Sequence, residues 1–256
     1  MAELRALIWD VDGTLADTEA LHLACFNEAI AAVGLDFAWS VDGYKEALRI
    51  AGGKERLHAA LAALGVDEDE LTTLVDRIHR DKTARYVAAV AAGRLALRPG
   101  VRRLARDAQR AGLRQAIATT TTRANVHALL ASTFGTDHPF EVIACADSAP
   151  RKKPAPDVYL HTLRALRLTA SETLAIEDSA NGVRAAAAAG VPVLVTRSEF
   201  GGSGFDRAAA VLTHLGEPGN PAHAETSPIA FEGAADAAWA GKLHRLAIAT
   251  GAPAHP

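Results

Sequence analysis

The chain has 256 residues, with 27 Lys and Arg set against 30 Asp and Glu and a net charge of -3 at pH 7. No bulk field of either sign draws it to nucleic acid or to a membrane surface, and a chain of this length buries a sizeable core in one large or two modest domains. Cys25 and Cys145 stand in apolar surroundings without framework or metal-like spacing; buried thiols, a reducing compartment and, with no signal or spanning segment recognisable, a cytoplasmic location are expected.

The first element is the apolar run Ala6-Leu7-Ile8-Trp9, read as a core strand of a parallel sheet, and it ends in Asp10-Val11-Asp12-Gly13-Thr14-Leu15. In open α/β sheets ligands bind beyond the carboxyl ends of the strands, although Asp and Gly are also ordinary turn formers there. Between residues 15 and 97 the pattern is helical and Ala-rich, with helices expected over 18–33, 41–49, 54–64 and 67–92 and no strand. Arg98-Pro99-Gly100 marks the return to strand–helix alternation. Ala116-Ile117-Ala118 then runs into Thr119, Thr120, Thr121 and Thr122. The apolar run 142–145 precedes Lys152-Lys153-Pro154 and a helix over 157–166, and Leu174-Ala175-Ile176 ends in Glu177-Asp178-Ser179. Taken singly, the threonines can complete a strand, Lys153 can be a solvated lysine and the acidic pair can belong to a helix N-cap. Taken together, strand ends supply in order two Asp, a Thr, a Lys and an acidic pair.

This ordered set resembles the four motifs of the haloacid dehalogenase superfamily, at Asp10/Asp12, Thr119, Lys153 and Glu177/Asp178. Within it, Ala16-Asp17-Thr18-Glu19-Ala20-Leu21-His22, Gly52-Gly53-Lys54-Glu55-Arg56, Ala118-Thr119-Thr120-Thr121-Thr122, Lys152-Lys153-Pro154-Ala155-Pro156-Asp157 and Leu174-Ala175-Ile176-Glu177-Asp178-Ser179-Ala180-Asn181-Gly182 resemble the subgroup of CbbY-type sugar-bisphosphate phosphatases and β-phosphoglucomutases. The resemblance implies an α/β fold: a Rossmann-like parallel-sheet core from residues 1–15 and 98–216, with 16–97 inserted as a helical cap over the active site. Residues 217–256 are left as an extension, expected to be helical.

The chemistry it implies is phosphoryl transfer. A phosphate monoester repels an anionic nucleophile unless cations intervene, and Mg2+, an oxygen-loving ion, bridges carboxylate and phosphate. Asp10 would attack and form an aspartyl-phosphate; Asp12 would protonate the leaving oxygen and later take a proton from water. The metal would rest on Asp10, the backbone carbonyl of Asp12 and Asp178, with Glu177 as a ligand or its neighbour. Thr119 would donate to the phosphoryl oxygens and Lys153 would neutralise them. Xylulose-1,5-bisphosphate, a by-product inhibitory to Rubisco in organisms using the Calvin cycle, is the implied substrate, with a β-phosphoglucomutase-like mutase as the alternative.

Substrate choice falls to the cleft. Glu19 and His22 follow the first motif, Lys54 and Arg56 sit at a glycine-preceded helix start suited to an anion or polyol, and Lys82 shares a helical face with Tyr86. Thr120, Thr121, Thr122 and Arg123 complete the expected substrate-binding set for a second phosphate. A phospho-accepting signalling module also combines strand-end acids with a Thr and a Lys, but lacks a helical insertion after the acidic motif. Further on, a strand over 209–213, a linker over 216–221 and a helix over 231–250 are expected, the helix carrying Trp239, Leu243 and Leu246 on one face. That stripe packs on its own core in a monomer or serves a dimer contact. The Gly-rich segment 197–205 reads as a loop near the strand ends and is given no role.

Overall fold

The computed structural model describes residues 2–251. Seven strands form one sheet: β1 (Ala6–Trp9), β2 (Arg114–Ala118), β3 (Val142–Ala144), β4 (Thr173–Glu177), β5 (Val193–Thr196), β6 (Ala210–Leu212) and β7 (Ala224–Thr226). Their order is β3-β2-β1-β4-β5-β6-β7; all neighbours are parallel except β6 and β7. The chain winds outward through β2 and β3 on one side of β1 and through β4, β5 and β6 on the other, so the topological switch lies at β1.

The β1 residues are all buried because helices cover both sheet faces. Period-two alternation divides them: Leu7, Trp9 and Val11 join one cluster, with α5 (Val101–Arg110), α6 (Arg123–Thr133) and α9 (Ala237–Thr250), while Ala6 and Ile8 join the other, with α7 (Asp157–Leu166) and α8 (Ala180–Ala188). Between β1 and α5 lie four helices, α1 (Glu19–Ala32), α2 (Val41–Ala47), α3 (Gly53–Ala63) and α4 (Glu68–Ala91), with no strand among them. They bury a cluster of their own around Phe26, Tyr44, Leu57, Leu61 and Ile78. The two chain crossings into this helical insertion are paired: Ala16 bridges Leu97, and Arg98 N donates to Leu15 O at 2.8 Å.

The C-terminal part departs from expectation. Residues 217–236 are not helical and add β7, an exposed antiparallel edge strand. The expected linker over 216–221 is a packed turn: Arg103 donates to the carbonyls of Leu215 and Gly216, and Glu217 bridges Asn220. On α9 the buried stripe is Trp239, Ala240, Leu243, His244 and Ala247, Leu246 being only half-buried. Trp239 and Leu243 pack into the core beside α5, so the stripe is not a free dimer surface. Residues 252–256 of the expected extension lie outside the described residues. Both cysteines are free and buried, and among the described residues no helix is long and apolar enough to cross a membrane.

Candidate active site

Sheet register assembles the site. Trp9 lies level with Ile117 and Ile176, so the next residue, Asp10, emerges between Ala118 and Glu177 at the carboxyl edge, and its N–H still donates to Ile176 O at 3.0 Å. Val11 turns into the core, 1% exposed. Lys153, 4% exposed, arrives from the segment before α7; its ammonium donates to Asp10 Oδ1 (2.7 Å), Ala118 O (2.9 Å) and Glu177 Oε1 (2.6 Å). Tyr159, one turn into α7, donates to the same Glu177 oxygen at 2.5 Å. Thr119 follows β2 directly and is buried against the same edge.

Environment drives the two acids of the first motif apart. Burial pushes the Asp10 carboxyl up to about 7 against the opposing pull of Lys153, with Glu177 and Asp12 adding to the rise. Burial acts on Asp12 in the same sense, but His22, Thr18 and Lys82 outweigh it and hold that carboxyl below the usual range. The geometry agrees: Asp12 Oδ1 accepts from Thr18 Oγ1 at 2.6 Å and lies 3.1 Å from His22 Nε2. His22 Nδ1 is 2.8 Å from Lys82 Nζ, and the imidazole stacks on Tyr86 at 4.2 Å. With Lys82 as an ammonium, Nδ1 accepts and Nε2–H donates to Asp12. Burial lowers Lys82 to about 8 despite Asp12 and Glu19.

The oxygens of Asp10, Glu177 and Asp178 lie within 4.8 Å of one another, and Glu177 Oε2 is buried without a hydrogen-bond partner. Three clustered carboxylates with an orphaned oxygen fit a hard divalent cation such as Mg2+. Burial and the nearby Asp10 carboxylate raise Asp178 well above the usual range, while Ser198 Oγ donates to its Oδ2 at 2.5 Å and opposes the rise. The Asp12 side chain is outside this cluster, engaged by Thr18 and His22. Gly13 makes the crowding possible: at φ +75° a Cβ would stand 2.0 Å from Asp178 Oδ2. Gly13→Ala therefore combines left-handed strain of about 1–2 kcal/mol with displacement of Asp178. A stability loss of at least about 2 kcal/mol in urea denaturation is expected, and a loss below 0.5 would mean that the turn relaxes freely.

The site opens into a cleft of about 780 Å³ between the sheet edge and the helical insertion. Glu19, His22, Lys54, Arg56, Lys82, Thr120, Thr121 and Thr122 all line it. Arg56 is buried and donates to Tyr44 OH at 2.9 Å, which in turn donates to Glu19 Oε2 at 3.0 Å. Lys54 is half-exposed and paired with Asp76, and Thr122 spends its hydroxyl capping α6. Arg123 does not reach the cleft: it turns outward to Asp147, at 3.2 Å. Tyr159, Tyr44 and Ser198 carry no motif in the sequence: the phenols sit in ordinary helical patterns, and Ser198 lies in the Gly-rich segment 197–205.

This constellation on a doubly covered parallel sheet accords with the family whose sequence model matches residues 4–190: the chain belongs to the haloacid dehalogenase-like hydrolases, and is an enzyme of that family. Among its relatives, CbbY of Cupriavidus necator is 49% identical over 224 residues, covering 85% of this chain and 88% of that protein. A crystal structure of a CbbY mutant from Rhodobacter sphaeroides in complex with xylulose-(1,5)bisphosphate is 42% identical, with a TM-score of 0.76 over 82% of this chain and 94% of that one. A β-phosphoglucomutase from Clostridium difficile, 16% identical over 96% of this chain and 99% of that one at a TM-score of 0.71, shares the fold.

Proposed function

We propose that the protein is a Mg2+-dependent phosphatase of a small phosphorylated sugar, with xylulose-1,5-bisphosphate, cleaved to xylulose 5-phosphate and phosphate, as its preferred substrate. The observation that carries this reading is the Asp10 carboxylate held by Lys153 at 2.7 Å on the floor of a polar cleft. An Asp10 oxygen attacks phosphorus as the bond to the sugar oxygen breaks, and that oxygen takes its proton from Asp12; water, deprotonated by Asp12, then attacks phosphorus and releases Asp10. Asp12 therefore has to exchange its place beside Thr18 and His22 for one beside the phosphate, carrying a proton when it arrives. Thr119 and Lys153 bind the phosphoryl oxygens. Asp10, Asp178 and the Asp12 carbonyl would hold Mg2+, with Glu177 as ligand or neighbour, and the bound ion supplies the charge that offsets carboxylate–phosphate repulsion.

Residues 16–97 act in this reading as a cap that closes over the core of 1–15 and 98–216 and excludes water. Glu19, His22, Arg56 and Lys82 offer the sugar hydroxyls and the second phosphate a mixed acceptor and donor lining, with Thr120 and Thr121 opposite. Support comes from relatives called CbbY, one of them solved with the bisphosphate. The test is phosphate release from xylulose-1,5-bisphosphate with Mg2+, run beside β-glucose 1-phosphate. Release from the first without isomerisation of the second is expected, and excess chelator should slow it at least about a hundredfold. Steady isomer formation would replace the phosphatase with a mutase.

A further inference from the structure

The segment after β5, residues 197–201, brings Glu199, Phe200 and Gly201 to the cleft but has no part in the mechanism above. Its root is fixed: the buried Arg98 guanidinium donates to Gly13 O at 2.5 Å, to Thr196 Oγ1 at 3.0 Å and to Arg197 O. Ser198 then holds Asp178. A Cβ on Gly201 would stand 2.2 Å from Asp178 O, so the chain doubles back in close contact with that residue. Between these two points the chain reaches across to the helical insertion. Glu199 Oε1 lies 3.3 Å from Lys45 Nζ, and the Phe200 ring stands edge-on to Tyr44 at 6.3 Å, with Lys45 Nζ 5.1 Å from its centre. Phe200 packs with the insertion's hydrophobic cluster rather than with either sheet cluster.

We propose that Phe200 is a positioning residue: its docking beside Tyr44 holds Ser198 on Asp178, so that this carboxylate is set for the reaction only while the insertion covers the cleft. The physical reason is the division of the segment. Arg98 leaves its root no freedom, whereas Gly201, Gly202 and Gly204 beyond it carry a high entropic cost of ordering. The tie to the insertion is made by Phe200, two residues from Ser198, together with Glu199 on Lys45, while Arg197 Nη1 donates to Gly202 O at 2.6 Å on the core side. When the insertion swings away, that tie is lost and the Ser198 hydroxyl is free to leave Asp178. The inference rests on the reading of Asp178 as a metal ligand.

Its test titrates magnesium chloride calorimetrically into substrate-free Phe200→Ala, Ser198→Ala, the double variant and Phe200→Tyr, with kcat and KM measured alongside. Ser198→Ala should weaken Mg2+ binding and kcat by about 10- to 100-fold, the range for a group that orients a metal ligand. Phe200→Ala should lower both by about tenfold with KM little changed, and Phe200→Tyr should restore them. The double variant should be no worse than Ser198→Ala, because the two side chains act in series. A rise in KM alone, with Mg2+ binding intact, would make Phe200 a simple substrate contact and overturn the proposal; multiplying losses would overturn it equally. A wild-type protein that bound no Mg2+ would instead remove the metal reading, and this proposal with it.

Discussion

Asp10→Asn is expected to leave a folded protein whose phosphate release falls at least about ten-thousandfold, the scale of removing a covalent nucleophile. The amide keeps the shape of the side chain but offers no anionic oxygen to phosphorus. Folding survives because Lys153 retains Glu177 and the Ala118 carbonyl, so no buried cation is stranded. The variant also isolates what the carboxylate costs. Burial raises Asp10 to about 7 in the folded chain, against about 4 when unfolded. The folded state therefore binds that proton more tightly, and in metal-free protein the Asp10 contribution to stability declines as pH rises from about 4 to about 7, remaining low above it. In chelator, the melting temperature of the Asn variant should gain on the wild type between pH 5 and pH 8. Turnover within tenfold of wild type would refute the nucleophile, and an unchanged Tm difference would refute the burial cost.

Asp12 shows why the two acids need different surroundings. A residue that gives a proton and later takes one must reach the leaving oxygen without being held permanently by Lys153. Thr18 and His22, both in or beside α1, hold it instead, so the proposed proton carrier is tied to the helical insertion while the proposed nucleophile is tied to the sheet. In the proposed mechanism, closure of the insertion over the core would change the company of Asp12 and leave Asp10 where it is.

What could be read from the sequence follows from range. Apolar runs ending in acids, threonine or lysine are local patterns, and parallel pairing then brings their ends to one edge whatever lies between them; this placed Asp10, Thr119, Lys153, Glu177 and Asp178 around one point. β5, although its four residues are all buried, ends in Thr196-Arg197-Ser198, which matches none of the four motifs, so nothing in its sequence marks it as part of the site. β7 is fully exposed and carries no apolar alternation to signal a strand. Arg123 looked like a phosphate ligand because it follows the threonines, but as the first residue of α6 it is directed by the helix start toward Asp147. Tyr159 on Glu177 and Arg98 on Gly13 span 18 and 85 residues, distances at which only the folded chain brings the partners together.

Lys153→Met should be the most damaging single change to the protein as a whole, costing about 3–5 kcal/mol of stability together with nearly all turnover. The ammonium sits between two buried carboxylates, and its charge is held firmly: burial alone would depress its pKa, yet Asp10 and Glu177 raise it above the usual lysine range. A lysine whose folded pKa is raised contributes its full stabilisation at every pH below about 10.5, so the lysine's own contribution does not vary through neutrality. The pH dependence of the loss comes from the acids left behind. As pH falls from 8 to 5, Asp10 takes up a proton, one of the two stranded charges disappears and the penalty in metal-free protein should shrink. Adding Asp10→Asn to Lys153→Met should likewise recover part of the stability at pH 8 while recovering no activity, because phosphoryl transfer then lacks both its acceptor and its cation. Urea denaturation of the two variants in chelator, at pH 5 and pH 8, decides the matter. A loss under about 1 kcal/mol at pH 8 would mean that the carboxylates reach water without Lys153 and that its role is confined to the substrate.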